Sequence, residues 1–277
     1  MSREQPTLAA VAAAYLRRDI AVAASYRLTF VMRTLAIIVT LVGLAFTARF
    51  VGVSDEDQMV SRYGTAGYLG FWVLGLVVGD VFYSTTTALG SAIRRAQVQG
   101  TLDAELSSPA PIAYIVLCTP LTQLFVTLLR AVASFVAATL MFGLVFDVGS
   151  PALVAATLLL ALLSFGFLGV VGGAVTMILR RTDPITLGLS MFGAIIGGVL
   201  YPVDLLPESL STVAYMFPLA PTLEAMRVSL FAGAGFADVT QELAVLAAFT
   251  GVVGVAAVWS FGYALRLARR QGSLSHY

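Results

Sequence analysis

Asp80, Arg130, Glu224 and Arg227 stand inside long apolar runs, and acids and bases so placed are the residues of this sequence whose chemistry most needs explaining. An ionised side chain surrounded by hydrocarbon is costly unless it pairs or faces water. Asp80 and Arg130 belong to successive apolar runs at matching depths, which predicts an ion pair joining them; the competing reading makes them a polar lining of a substrate path. Glu224 and Arg227 lie three residues apart and share one helix face. They read either as a local pair that makes a short apolar helix tolerable beside lipid, or as a gate at an outer mouth that handles a polar headgroup.

Chemistry that depends on histidine or on paired cysteines lacks its residues. The sequence holds one histidine, His276, and one cysteine, Cys118, which removes the base of a Ser-His-Asp triad, the HExxH metal motif, a cysteine zinc site and any intrachain disulfide. All sixteen basic residues are arginine. A standard P-loop places a lysine after its glycines to reach the phosphates, so any ATP used must be hydrolysed on another subunit. The reading is of a protein that is not itself an enzyme and carries no cofactor or metal. Its net charge of +1 offers no basic face for nucleic acid.

A further polar feature is the island Arg94 to Pro109 between two apolar runs. Thr101 is a candidate N-cap, Asp103 and Glu105 fall in the first turn where the helix dipole favours negative charge, and Pro109 ends the segment. Leu102 and Leu106, four apart, share one face. The pattern is either a short amphipathic docking helix or a solvated loop.

These residues must be carried by membrane helices. The 277 residues are 59% hydrophobic and only 11% charged, with a mean hydropathy of +0.92, whereas soluble domains are about a quarter charged. The expected fold is an all-α integral membrane domain occupying the whole of 1–277, with six spans at about 28–50, 63–89, 120–145, 152–179, 185–201 and 243–265. Pro120 trims the third apolar run, a turn at Asp147 to Pro151 follows it, and Pro202 stops the fifth span. Residues 7–26 mix alanines and leucine with Arg17, Arg18 and Asp19, the pattern of an interfacial helix, and lack the order of a cleavable signal peptide. Arg3, Arg17, Arg18, Arg94, Arg95, Arg180, Arg181, Arg266, Arg269 and Arg270 gather on one side of these spans. Arg49, Arg62 and Arg227 fall near the other, so the positive-inside rule puts both termini and the 94–109 stretch in the cytoplasm. The acidic cluster Asp55-Glu56-Asp57 lies outside.

Residues 202–236 are largely apolar yet begin and end on the outer side. Pro202, Pro207, Pro218 and Pro221 divide them into helices at Glu208–Phe217 and Thr222–Phe231. That predicts a re-entrant hairpin, allowed where its irregular backbone is buried in protein or lines a water-filled cavity; the alternative is a pair of helices resting on the outer leaflet. Gly169 to Gly173 and Gly193 to Gly197 have the small-residue spacing of close helix packing. Phe71, Trp72, Phe82 and Tyr83, with Tyr201, Tyr215 and Phe217 outside, read either as a face for an apolar substrate or, as is more common for such residues, as packing or interfacial aromatics.

Three local patterns carry a resemblance. Gln99 to Pro109, with Gly100, Thr101, Leu102, Asp103 and Leu106, resembles the "G-T-L-E-x-L-x-x-T-P" loop of the ABC-2 family of ATP-binding-cassette exporter permeases, with Asp103 and Ser108 as mild departures. Gly198 to Pro207, including Tyr201 and Pro202, is similar to that family's "G-x-x-(F/Y)-P-x-x-x-L-P" segment. Pro218 to Arg227 is similar to its "P-x-x-(Y/P)-x-x-E-x-x-R" ending, through Glu224 and Arg227. The resemblance implies a type V exporter with six spans, an interfacial helix, a coupling helix at Gly100 to Pro109 and an outer re-entrant gate. It further implies a dimer of permeases, here a homodimer, on two nucleotide-binding subunits that bind ATP and Mg. The substrate class it implies is a drug, a lipid or a lipid-linked glycan leaving the inner (plasma) membrane. An integral membrane enzyme acting on lipid would need clustered carboxylates or histidines at one face, and a secondary transporter would need paired broken helices in an inverted repeat.

Overall fold

The computed structural model describes residues 27–51, 67–99, 121–144, 146–179 and 184–270. They form helices and connecting turns, with no strand among the described residues. In chain order these are α1 (Arg27–Val51), α2 (Gly67–Val98), α3 (Leu121–Phe142), α4 (Pro151–Leu179), α5 (Pro184–Ile196), a 3-10 turn (Val203–Leu205), α6 (Glu208–Met216), α7 (Leu219–Phe231) and α8 (Thr240–Arg270). The interfacial segment 7–26, the Asp55-Glu56-Asp57 cluster and the coupling residues Gly100 to Pro109 lie outside the described residues.

Local chemistry sets the helix ends. Gly143, at φ +66°, stops α3 in the left-handed conformation that costs glycine nothing. Ser150 caps α4, its Oγ accepting from Leu153 N at 3.4 Å, and Pro151 takes the first helical position, where no N–H is needed. Two boundaries differ most from expectation. α2 runs nine residues past Leu89 to Val98, so Arg94 and Arg95 belong to a helix and not to a loop. The fifth span is expected to reach Tyr201, but α5 stops at Ile196 after 13 residues and the chain turns at Gly197 and Gly198, the latter at φ +77°. In the next segment α7 begins three residues earlier than expected, because Pro221 sits in its first turn, where a missing N–H breaks no intrahelical bond.

Four helices, α2, α3, α4 and α8, are long and apolar enough to cross a membrane. α1 has 25 residues with an apolar section at Thr34–Phe46. α5, α6 and α7 have 13, 9 and 13 residues, at most about 20 Å of helix each, short of the roughly 30 Å hydrocarbon core.

α2 is the axis of the packing. Of its spanning section 72% is buried within the chain, against 11% for α8. Glycines let α4 approach it: a Cβ at Gly169 would lie 2.9 Å from Thr85 O, and one at Gly173 would lie 2.9 Å from Leu89 Cδ2. Phe82 meets Phe165 and Phe217 edge-on, with ring centroids 4.9 and 5.6 Å apart, which ties α2, α4 and the α6–α7 connection into one core. A Cβ at Gly193 of α5 would sit 3.0 Å from Phe82 Cε1. Gly193 and Gly197 therefore face inward, against Phe82, Phe217 and Leu219. α7 is the most enclosed of the short helices, with ten of its residues buried. Most of α6, by contrast, faces out.

Candidate functional site

The charge network begins on α3. Thr127, Arg130 and Ser134 project from one face at spacings of three and four, and each is at most 2% exposed. Arg130 reaches across to α2, donating from Nε to Asp80 Oδ2 at 2.8 Å and from Nη2 to the same oxygen at 2.6 Å. Its Nη2 also donates to Ser84 Oγ at 2.9 Å, one turn along α2. Arg130 is 2% exposed and Asp80 is 21% exposed, so the base is enclosed while the acid keeps an open edge. Buried Arg130 needs its counter-charge, since an isolated guanidinium in this position would cost several kcal/mol. Thr127 Oγ1 and Ser134 Oγ, on either side of Arg130, are buried without a hydrogen-bond partner among the described residues. Asp80 and Arg130 are thus brought together, and Ser84 joins them; its signal in the sequence is its position four residues after Asp80.

A second polar arrangement holds the break after α5. Leaving a helix exposes carbonyl oxygens, and where lipid surrounds them the protein itself must supply donors. Arg227 of α7, 2% exposed, donates from Nη2 to Gly198 O at 2.8 Å and to Phe71 O at 3.2 Å, with its Cζ 3.3 Å above the Phe71 ring centroid. Trp72 Nε1 donates to Leu200 O at 2.8 Å. Between them Gly75 leaves room for Val199: a Cβ there would overlap the Val199 carbonyl oxygen. Residues 198–200 are therefore seated on α2 by an arginine, an indole and a glycine.

The other residues of the expected gate surround this seat. Tyr201 donates its hydroxyl to Ile195 O, closing the loop on α5. Pro202 stands before the 3-10 turn and Pro207 before α6, each supplying extended backbone that starts the next element. Asp204 Oδ1 accepts from Tyr215 at 2.7 Å, tying the turn to α6. Glu224, half-buried, lies one turn before Arg227 on α7. Arg227 reaches past its own helix to two other elements, a role that spacing within α7 does not reveal. Phe71 and Trp72, which read from sequence as packing or interfacial aromatics, serve this seat.

A helical chain with long apolar segments, a paired acid and base between two of them and an irregular backbone sheltered by buried donors is a multi-pass membrane protein. The model of the family described as ABC-2 type transporter matches residues 11–231, most of the chain. The protein belongs to that family and is a transmembrane transport permease, not a catalytic subunit. No curated protein matches the chain.

Proposed function

We propose that the protein is the membrane subunit of a type V, ATP-driven exporter that moves an amphipathic substrate, such as a drug, a lipid or a lipid-linked glycan, out of the cytoplasm or inner leaflet. The observation that carries this reading is the family match over 11–231 in a sequence without a single lysine. A transport permease of this kind has no P-loop of its own and needs an ATPase partner that binds ATP and Mg. In this reading α1, α2, α3, α4, α8 and the stretch 185–201, where α5 is continued by irregular backbone to Tyr201, are the six spans, α6 and α7 form the outer re-entrant element, and both termini face the cytoplasm of a cell with this protein in its inner (plasma) membrane. A second copy completes a homodimer.

The mechanism is mechanical. ATP binding closes the paired nucleotide-binding subunits, and residues 100–109, directly after α2, receive the movement. α2 is a single 32-residue helix, so displacement at its cytoplasmic end tilts the whole rod. The seat of residues 198–200 on α2 supports transmission of that tilt to the outer segment, a rigid-body shift between two populated states.

Purifying the tagged protein from native membranes with its associated proteins tests the reading. An ATPase bearing G-x-x-x-x-G-K-(S/T) should accompany it, and substrate movement in vesicles should require hydrolysable ATP. Transport that persists without any ATPase subunit would overturn it.

A further inference from the structure

The open face of α2 differs from the outward faces of the other long helices. Leu76, Asp80, Tyr83, Thr87, Ser91 and Arg94 are among the partly or fully open positions of this largely buried helix, and between Leu76 and Arg94 the remaining open positions are Gly79, Gly90 and Ala92. At about 100° per residue the first six fall within a sector roughly 80° wide, one stripe along the rod. From Asp80 to Arg94 every residue of the stripe is polar, over about 21 Å of helix. The exposed large side chains of α3 are Phe125, Leu129, Val132, Val136, Leu140 and Met141, and those in the middle of α8 are Val252, Val255, Val258 and Trp259. Those faces suit lipid. A carboxylate, a phenol and a guanidinium in line do not, since polar side chains at membrane depth turn towards protein or water; the hydroxyls of Thr87 and Ser91 between them donate to carbonyls of their own helix, at 2.8 and 2.9 Å.

We propose that this stripe lines a water-accessible track along α2, in which the polar head of the transported molecule moves while its apolar part stays against neighbouring helices. Asp80 closes the track at its deep end. Both bonds from Arg130 land on Oδ2, and the Asp80 side chain is 21% exposed, so its carboxylate remains an acceptor for a hydrogen-bond-donating head such as an amine. The identity of the traveller rests on the transport reading above; the presence of water along the stripe does not.

Cys118 is the sole cysteine, so Cys118→Ser yields a thiol-free background. Single cysteines are placed there at Tyr83, Thr87 and Ser91, with Val132 and Val136 on the lipid-suited face of α3 as controls. Membrane vesicles of both orientations are treated with a charged, membrane-impermeant maleimide, and equal labelling after denaturation in SDS confirms that each thiol is intact. The stripe positions should label at least about tenfold faster than the controls, because a charged reagent is excluded from hydrocarbon. A single-chain alkylamine should slow labelling at position 83, one turn from Asp80, whereas an alkyl sulfate of equal length should not. Labelling as slow as at the controls overturns the track. So do disulfide cross-links between copies at 83, 87 and 91 in the absence of reagent access, which would mean that a second copy covers the stripe. Fast labelling indifferent to the amine overturns the role of Asp80. Each result is read on the permease itself and stands whether or not an ATPase accompanies it.

Discussion

Neutralising Asp80 should weaken the protein more than neutralising both members of its pair. In Asp80→Asn, Arg130 stays 2% exposed and loses its counter-charge, retaining Ser84 Oγ and whatever the new amide oxygen accepts. Breaking a buried pair by removing one partner costs about 3–5 kcal/mol. The asparagine still offers a neutral acceptor, and charge-assisted bonds are roughly twice as strong as neutral ones, so about 2–3 kcal/mol is expected here. Against a typical stability of roughly 5–15 kcal/mol that is a large fraction. Arg130→Met removes the cation and leaves a carboxylate that is already partly open, so it should cost less than Asp80→Asn. In the double variant Asp80→Asn, Arg130→Met no charge remains, and most of the loss should be recovered, a coupling on the order of 1–3 kcal/mol. The assay is the apparent Tm of the detergent-solubilised protein, followed by the loss of monodisperse protein after heating. Equal, strictly additive shifts for the two single variants would refute the argument that Arg130 depends on Asp80 for its charge balance.

Gly75→Ala should destabilise the protein by about 1–3 kcal/mol through overpacking, since its Cβ overlaps the Val199 carbonyl, a backbone group that cannot rotate aside as a side chain would; the apparent Tm checks this. Arg227→Lys should fail nearly as badly as Arg227→Met, because an ammonium has neither the planar stack on Phe71 nor the reach to two carbonyls; near-normal Tm and expression of the lysine variant would count against the seat. Trp72→Phe keeps the ring but loses the bond to Leu200 O, for a cost of about 0.5–1.5 kcal/mol measured in the same assay. Leu102→Asp with Leu106→Asp should leave the apparent Tm of the permease unchanged while abolishing co-purification of the ATPase, and intact ATPase binding would remove the coupling role from that face.

Much of the architecture was legible in one dimension because hydrocarbon is an unforgiving solvent. Apolar runs near the length needed to cross it, punctuated by Pro120, the Asp147 to Pro151 turn and Pro207, mark helices most of whose ends fall within about five residues of those observed; the largest departures are at Leu89 and Tyr201. These two departures share a cause: helix length there depends on what the ends pack against. α2 continues to Val98 with Ile93, Ala96 and Gln97 buried beyond Leu89. α5 ends early because the residues after Ile196 are held by α2 and α7.

For the polar residues the division is the same. Asp80 and Arg130 announce themselves in the sequence, since a charge inside an apolar run requires a partner and each is the ionisable group of its own run. The class of the protein was also legible in one dimension, through its 59% hydrophobic content. Helix packing alone shows that Arg227 serves the carbonyls of Phe71 and Gly198, that Gly75 seats Val199, and that Asp80, Tyr83, Thr87, Ser91 and Arg94 share an open side of a largely buried helix. Composition and spacing report the cost of placing a residue in hydrocarbon. Which distant backbone group or open surface offsets that cost is a property of how the helices cross, and no local pattern encodes it.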